Sequence, residues 1–276
     1  MKLNLHLIAA WLRGATRLPV TPRGQRLDLR KFELTWSDEF DGDGLDREKW
    51  GGHGDEPKRR RGGYWYIGMA QVKDGMLHIP TVYSEEGIAG GPPGYYTAGI
   101  DTSRSFLQKY GYFEARCKLP KGKGQWSAFW MHNDGVSHVD GSGHSGTEID
   151  IYESPYYRRR LPLLKNMVTT NLHYDGYGKA HRMQNVGNFR VKDPYDTFHT
   201  YGVEWNEKEY IFYIDGVETR RSSFGGVSQN EQYLLLSLEQ AADSLESFGW
   251  AGYIHKNKPG ELTDFVVDYV RAYQYK

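Results

Sequence analysis

The chain has one cysteine, no net charge and no long hydrophobic segment, and each absence excludes a class of protein. Among its 276 residues only Cys117 is a cysteine, which excludes an intramolecular disulfide framework and a multi-cysteine metal site. The 35 Lys and Arg residues balance 35 Asp and Glu, whereas proteins that bind nucleic acid or acidic membranes usually carry a basic excess. No apolar run approaches the roughly 18 residues of a membrane span. We therefore expect a soluble protein that binds neither nucleic acid nor membrane.

Long amphipathic helices are also missing after residue 30, and strand patterns take their place. Strict alternation over residues 112–119 predicts a half-buried strand, and Asp-Gly pairs within 71–79 and 209–220 predict two hairpins. Further strand patterns occupy 125–132, 147–153, 168–174, 198–205, 232–239 and 264–274. With 33 glycines available for turns, these strands predict an all-β, antiparallel β-sandwich of the jelly-roll type.

The first 31 residues differ from the rest. Residues 1–13 contain a short apolar stretch without a clear small-residue cleavage site. We expect a short helix there, followed by an irregular connector. Residues 32–276 are then one β domain, because no linker interrupts them, and we expect a monomer.

Three acids lie close together in one strand-like segment: Glu148, Asp150 and Glu153. Alternation places the first two on one face of a strand. A regular strand would turn Glu153 away, whereas a one-residue bulge near Ile151 returns it to the acidic face. Like charges on a buried face favour unequal protonation, and one ionised and one protonated carboxyl are what a retaining glycosidase uses. The alternative is an exposed acidic face without chemistry.

The segment Glu-Ile-Asp-Ile-Tyr-Glu at 148–153 resembles the bulged E-x-D-x-x-E signature of glycoside hydrolase family 16. The resemblance covers about residues 34–274 and includes WSDEF at 36–40, YGYFEAR at 110–116, WSAFWM at 126–131, HTYGVEW at 199–205 and FVVDYV at 265–270. It implies a curved jelly roll with an open substrate cleft and endo-cleavage of a β-linked polysaccharide with retention of configuration. It also implies that Glu148 is the nucleophile, Glu153 the general acid/base and Asp150 an assisting acid.

The strand before these acids and the strand after them supply candidate substrate-binding residues. Trp126 and Trp130 share one face of their strand by alternation, and tryptophans at these places line the cleft in the family. Pyranose rings pack their C–H faces on aromatic planes; the alternative is a pair of core tryptophans. Asn171 and His173 alternate in the following strand and are candidates for hydrogen bonds to sugar hydroxyls, although a purely structural histidine fits the pattern equally well.

Two basic runs, 58–61 and 158–160, bear on the charge of the substrate. Such runs are usually solvated surface. If they face the cleft, guanidinium groups such as that of Arg158 favour an anionic glycan carrying sulfate or uronate.

The expected enzyme needs no organic cofactor. The resemblance implies a structural calcium away from the cleft, with Glu39, the Gly75 carbonyl and Asp268 as oxygen ligands. A transition metal held by the spaced histidines 132, 138 and 144 is not expected, since their spacing fits no compact zinc motif.

The substrate stays open at this level. A β-1,3- or mixed-linkage β-1,3/1,4-glucan is the first expectation, and a β-galactan of the agar, porphyran, carrageenan or host type follows closely. Laminarin-cleaving members carry Met at the position of Tyr152 and a different late segment, which argues against strict β-1,3-glucan specificity. A transglycosylase would use the same glutamates, and a carbohydrate-binding lectin is the non-enzymatic alternative.

Overall fold

The computed structural model of the protein describes residues 18–52, 55–156, 164–240, 254 and 261–276. These residues form three 3-10 helices, at Leu29–Lys31, Ile67–Met69 and Asp134–Ser137, and 19 strands. In chain order the strands are β1 (Phe32–Asp38), β2 (Gly51–Gly52), β3 (Lys58–Arg60), β4 (Gly63–Trp65), β5 (Gln71–Lys73), β6 (Met76–Ile79), β7 (Val82–Ser84), β8 (Gly94–Thr97), β9 (Gly99–Asp101), β10 (Gly111–Lys118), β11 (Gln125–His132), β12 (Glu148–Pro155), β13 (Met167–Tyr174), β14 (Arg182–Arg190), β15 (His199–Trp205), β16 (Tyr210–Ile214), β17 (Val217–Ser222), β18 (Tyr233–Gln240) and β19 (Phe265–Tyr275).

The strands form two large sheets and one small one. The eight-stranded sheet has the order β17-β16-β15-β10-β19-β6-β5, with β1 also paired to β19. The seven-stranded sheet has the order β14-β13-β12-β11-β18-β9-β2, and the small sheet has the order β3-β4-β8-β7. Within the described residues β4 and β8 pair in parallel, and the other ladders are antiparallel. The predicted all-β antiparallel sandwich is confirmed.

Both predicted Asp-Gly hairpins form. Asp74 and Gly75 join β5 to β6, and both have positive φ angles, 55° and 69°. Asp215 and Gly216 join β16 to β17 with φ angles of 52° and 68°. Positive φ at both central residues is the type I′ geometry, whose twist matches that of the flanking strands.

The main core lies between the two large sheets. Ile149 and Tyr152 of β12 belong to the same buried cluster as Phe113 of β10 and Val203 of β15. The rings of Tyr152 and Tyr201 are 4.2 Å apart between centroids. Because alternate residues of β12 fill this core, the remaining ones project from the opposite face of the seven-stranded sheet.

A second apolar cluster covers the outer face of the eight-stranded sheet. Leu27, from the segment that precedes β1, packs with Phe32, Tyr112, Ile211 and Tyr213. Its backbone N–H donates to the Gly216 carbonyl at 2.9 Å. The expected N-terminal helix falls within residues 1–17, outside the described part of the chain. No described helix has the length and apolar character needed to cross a membrane.

Candidate active site

A bulge in β12 lies at the centre of the candidate site. Along the neighbouring strand β11, Trp130 is opposite Asp150 and Phe129 is opposite Tyr152, so Ile151 is an extra residue without a partner of its own. An extra residue in one strand bends it and changes the face to which the following side chains point. The bulge predicted near Ile151 is confirmed.

The pairing with β13 shows what this bulge does to the acids. Glu148 lies opposite His173 and Glu153 opposite Thr169, so five steps along β12 match four along β13. Directly opposed residues share a face of the sheet. Glu148, Asp150 and Glu153 therefore project from the same face, and their backbones span the roughly 13 Å of a regular four-step strand.

The three acids differ in how deeply they are buried. Asp150 is 4% exposed and Glu153 is 8% exposed, whereas Glu148 is half-buried. Burial raises the pKa of Asp150 well above its ordinary value, and the neighbouring charge of Glu148 raises it further. Burial also raises the pKa of Glu153, with Asp150 as the next cause. A raised pKa favours a protonated carboxyl at neutral pH, as a general acid requires.

Two residues of β13 contact the two buried acids. His173 Nε2 lies 3.1 Å from Asp150 Oδ2, and the side-chain amide of Asn171 donates to Glu153 Oε2. His173 Nδ1 in turn lies 2.9 Å from Nε2 of His181. The two β13 residues among the predicted substrate-binding residues, Asn171 and His173, thus lie in the site and contact acids directly.

The sequence did not indicate Tyr177, which belongs to the loop between β13 and β14. Its hydroxyl donates to Glu148 Oε2 and lies 3.2 Å from Nε2 of His132. A loop residue has no alternation to show its direction, so only its place four residues after His173 could have drawn attention to it.

Comparisons with known proteins identify the family of this fold. The family model described as the GH16 domain of β-porphyranases A–D matches residues 32–275. The chain belongs to glycoside hydrolase family 16. It is therefore a glycoside hydrolase, and its antiparallel sandwich is the fold of the solved structures to which it is similar.

Individual relatives lie within the same family. The β-glucanase of Rhodothermus marinus is 28% identical over 88% of this chain and 86% of its own length, and β-porphyranase B of Zobellia galactanivorans is 27% identical over 79% and 76%. The chain spans 42% of the endo-1,3-1,4-β-glycanase ExsH of Rhizobium meliloti, at 28% identity over 76% of the chain. The laminarinase catalytic domain of Thermotoga petrophila superposes with a TM-score of 0.68 at 26% identity, covering 89% of this chain and 98% of that one.

The tryptophans of this GH16 chain lie on the face of the acids. Trp130 is opposite Asp150, and its indole N–H donates to Ser237 Oγ at 3.1 Å. Trp126 is half-buried, and the guanidinium of Arg61 lies 4.6 Å from the centre of its ring. One face of Trp126 is therefore covered by an arginine, so a sugar cannot stack on that face unless Arg61 moves.

Part of the first basic run is held against the cleft by a buried glutamate. Glu239 of β18 is opposite Trp126 of β11 and its side chain is 6% exposed. It pairs with Arg60 at 2.8 Å and with Arg61 at 2.6 Å. Two guanidinium groups on one carboxylate leave one positive charge in excess. Arg158, in the second run, falls outside the described residues.

One group of described residues has the composition of a metal site: Glu148, Asp150 and His173, with possible donor atoms within 4.8 Å of one another. These are residues of the acid cluster itself. Hydrogen bonds within the cluster and from Tyr177 account for their arrangement.

Two of the three calcium ligands implied by the resemblance, Glu39 and Asp268, have arginine partners. Glu39 forms two hydrogen bonds to Arg271, at 3.0 and 2.8 Å, and these lower the pKa of Glu39. Asp268 accepts from Arg116. Both carboxylates already have a cationic partner, so calcium would have to displace two guanidinium groups.

Proposed function

We propose that the protein is an endo-acting β-glycanase that hydrolyses internal linkages with retention of configuration. Glu148 attacks the anomeric carbon, and Glu153 gives its proton to the departing glycosidic oxygen. Glu153 then takes a proton from the water that hydrolyses the glycosyl ester on Glu148. The single observation that carries this proposal is the bulge, which brings both glutamates to one face of the sheet.

The different surroundings of the two glutamates support these roles. Glu148 is the less buried of the two and accepts a hydrogen bond from Tyr177, so it lies nearer the surface of the cleft and is held there by a donor. Glu153 is buried and its pKa is raised, which favours the proton that a general acid must carry. Asp150 lies between them with a raised pKa and contacts His173.

The test is turnover of β-polysaccharides by the purified chain and three variants, measured as reducing ends. We expect Glu148→Gln and Glu153→Gln each to lower kcat by at least about 10³-fold. The matched control is Glu114→Gln, since Glu114 is also a buried glutamate that accepts from two tyrosines but lies in the other sheet. Retention requires that the first product detected by NMR be the β-anomer. Wild-type turnover in Glu148→Gln would refute the proposal.

Two further observations bear on the substrate class, and they point to different sugars. The glucanase relatives support a β-1,3- or mixed-linkage glucan. The porphyranase family model and Arg61 beside Trp126 favour an anionic β-galactan, because guanidinium pairs with sulfate or carboxylate. Tyr152 gives no reason to prefer either, since it is fully buried in the core and points away from the cleft.

We expect Arg61→Gln to raise KM for a sulfated β-galactan about tenfold and to leave KM for a neutral β-glucan unchanged. Losing a charge-assisted contact to a bound anion has roughly this effect. The control is Arg221→Gln, since Arg221 is a similarly exposed arginine paired with two glutamates in the region of the other sheet. Product sizing with an added acceptor oligosaccharide separates hydrolysis from transglycosylation.

A further inference from the structure

The loop between β13 and β14 brings a tyrosine to the candidate nucleophile. Tyr177 is 59% exposed, yet its hydroxyl donates to Glu148 Oε2. The contact therefore lies at the surface of the cleft, where a bound sugar would cover it. It leaves the other carboxylate oxygen of Glu148 without this donor and available to attack.

Behind Tyr177 lie two more residues whose polar atoms are in hydrogen-bond contact. The hydroxyl of Tyr177 is 3.2 Å from His132 Nε2. His132 Nδ1 is 3.0 Å from the hydroxyl of Tyr233. His132 belongs to β11 and Tyr233 to β18, and the two residues are directly opposite each other in the ladder. Both strands belong to the sheet that carries the acids.

The direction of each hydrogen bond follows from the number of protons. A phenol has one proton, and that of Tyr177 is donated to Glu148, so its oxygen must accept from an N–H at His132 Nε2. A neutral imidazole has one N–H, so His132 Nδ1 is an acceptor and Tyr233 donates to it. Burial lowers the pKa of His132, which favours the neutral ring that this arrangement needs.

We propose that Tyr177 is a positioning residue for Glu148, and that Tyr233, His132 and Tyr177 form a chain of donors that ends on this carboxylate. The proposal rests on the proposed role of Glu148 as nucleophile. The donor fixes the carboxylate during attack. It also stabilises the negative charge that returns to Glu148 when water cleaves the glycosyl ester.

The first test is kinetic and uses a polysaccharide that the wild-type chain degrades. We expect Tyr177→Phe to lower kcat about 10- to 100-fold, the usual effect of removing a hydrogen bond to a charged group, without raising KM. Tyr233→Phe should lower kcat by a smaller factor, about two- to fivefold, because it acts through two further bonds. A raised KM with unchanged kcat would show that Tyr177 binds sugar instead and would overturn the proposal.

Tyr275→Phe is the matched control. The hydroxyl of Tyr275 also donates to a glutamate, Glu204, at 2.8 Å, but both residues belong to the eight-stranded sheet. The control removes the same kind of hydrogen bond away from the cleft, and we expect wild-type kcat and KM. A kcat in Tyr177→Phe equal to that of the control would overturn the proposal while the proposed function stands.

The second test does not depend on activity. Long-range ¹H–¹⁵N correlation spectra report the tautomer of each histidine, and the His132→Gln variant identifies the signals of His132. We expect the Nε2–H tautomer at neutral pH in the full chain. An Nδ1–H tautomer or a charged ring would overturn the donor chain. An inactive wild-type chain that retains the Nε2–H tautomer would instead refute the proposed function and leave the donor chain in place.

Discussion

Deleting Ile151 tests whether the bulge has the role that we assign to it. Ile151 is the extra residue on the β11 side. Without it the segment reads Glu-Ile-Asp-Tyr-Glu, in which plain alternation places all three acids on the cleft face and Tyr152 on the core face. The separation of the glutamates along β13 stays at four steps. We therefore expect the deletion variant to keep hydrolytic activity within about tenfold of the wild type.

The cost of the deletion is one buried side chain. Ile151 is 3% exposed and belongs to the main core, and losing a buried isoleucine side chain costs about 3 kcal/mol. In a domain of this size that corresponds to a fall in Tm of about 10 °C. The assay is a thermal melt by circular dichroism together with reducing-end release below the melting temperature.

The matched perturbation is the insertion of one alanine after Ile151. Three residues then separate Asp150 from Glu153, and alternation places Glu153 on the cleft face two positions further along, about 6.6 Å from its present place. This shift is larger than the whole distance between the two carboxyl groups of a retaining glycosidase, which is roughly 5–5.5 Å. Glu153 would then be too far away to protonate the sugar that Glu148 attacks. We therefore expect activity to be lost although the sheet can form. If the insertion variant were active, or the folded deletion variant inactive, our account of the bulge would be wrong.

Three further predictions concern protonation and metal. The folded-state pKa of Glu153 is raised above its ordinary value of 4.5, so the fold favours the protonated side chain. The contribution of Glu153 to stability is therefore complete below pH 4.5 and is lost as pH rises towards the folded pKa. Glu153→Gln should therefore gain Tm relative to wild type as pH increases from 5 to 8, and an equal difference at both pH values would contradict this. Asn171 donates to Glu153 and so lowers its pKa, so Asn171→Leu should move the alkaline limb of kcat/KM upward by up to about one pH unit; a downward shift would be contrary to our assignment. Excess EDTA should leave Tm unchanged, because arginines already hold Glu39 and Asp268, and a fall in Tm would indicate a bound cation.

Much of the architecture could be predicted because its signals are local. The hairpins at Asp74 and Asp215 depend on two-residue turns that only a few residue types allow. The strands of the core alternate because one face is buried and the other is not. The bulge was also predictable, since three acids in one strand share a face only if one residue is extra.

Other elements could not be predicted because their residues carry no such period. The small sheet has strands of three or four residues, too short for a pattern to develop. β14 lacks apolar alternation because it is an edge strand whose amides face the acids, as Asn185 shows by donating to Asn171 at 2.9 Å. The pairing of Arg61 with Glu239 joins residues far apart in the chain, which a single sequence cannot indicate.

One regularity of the site connects its two strands. The antiparallel register sets Glu148 opposite His173 and Asp150 opposite Asn171, so the polar residues of β13 face the acids of β12 in reverse order. Each buried acid takes a partner from β13, His173 for Asp150 and Asn171 for Glu153.

Glu148, at the end of β12 nearest the β13–β14 loop, takes its partner from that loop. The contacts of Asp150 and Glu153 therefore follow from one rule, that buried carboxyls need donors and that the neighbouring strand is the nearest place for them. On this reasoning an acid strand is best interpreted together with the strand that follows it. Polar residues at alternate positions there indicate that the acids are buried and partnered, which distinguishes such a site from an exposed acidic surface.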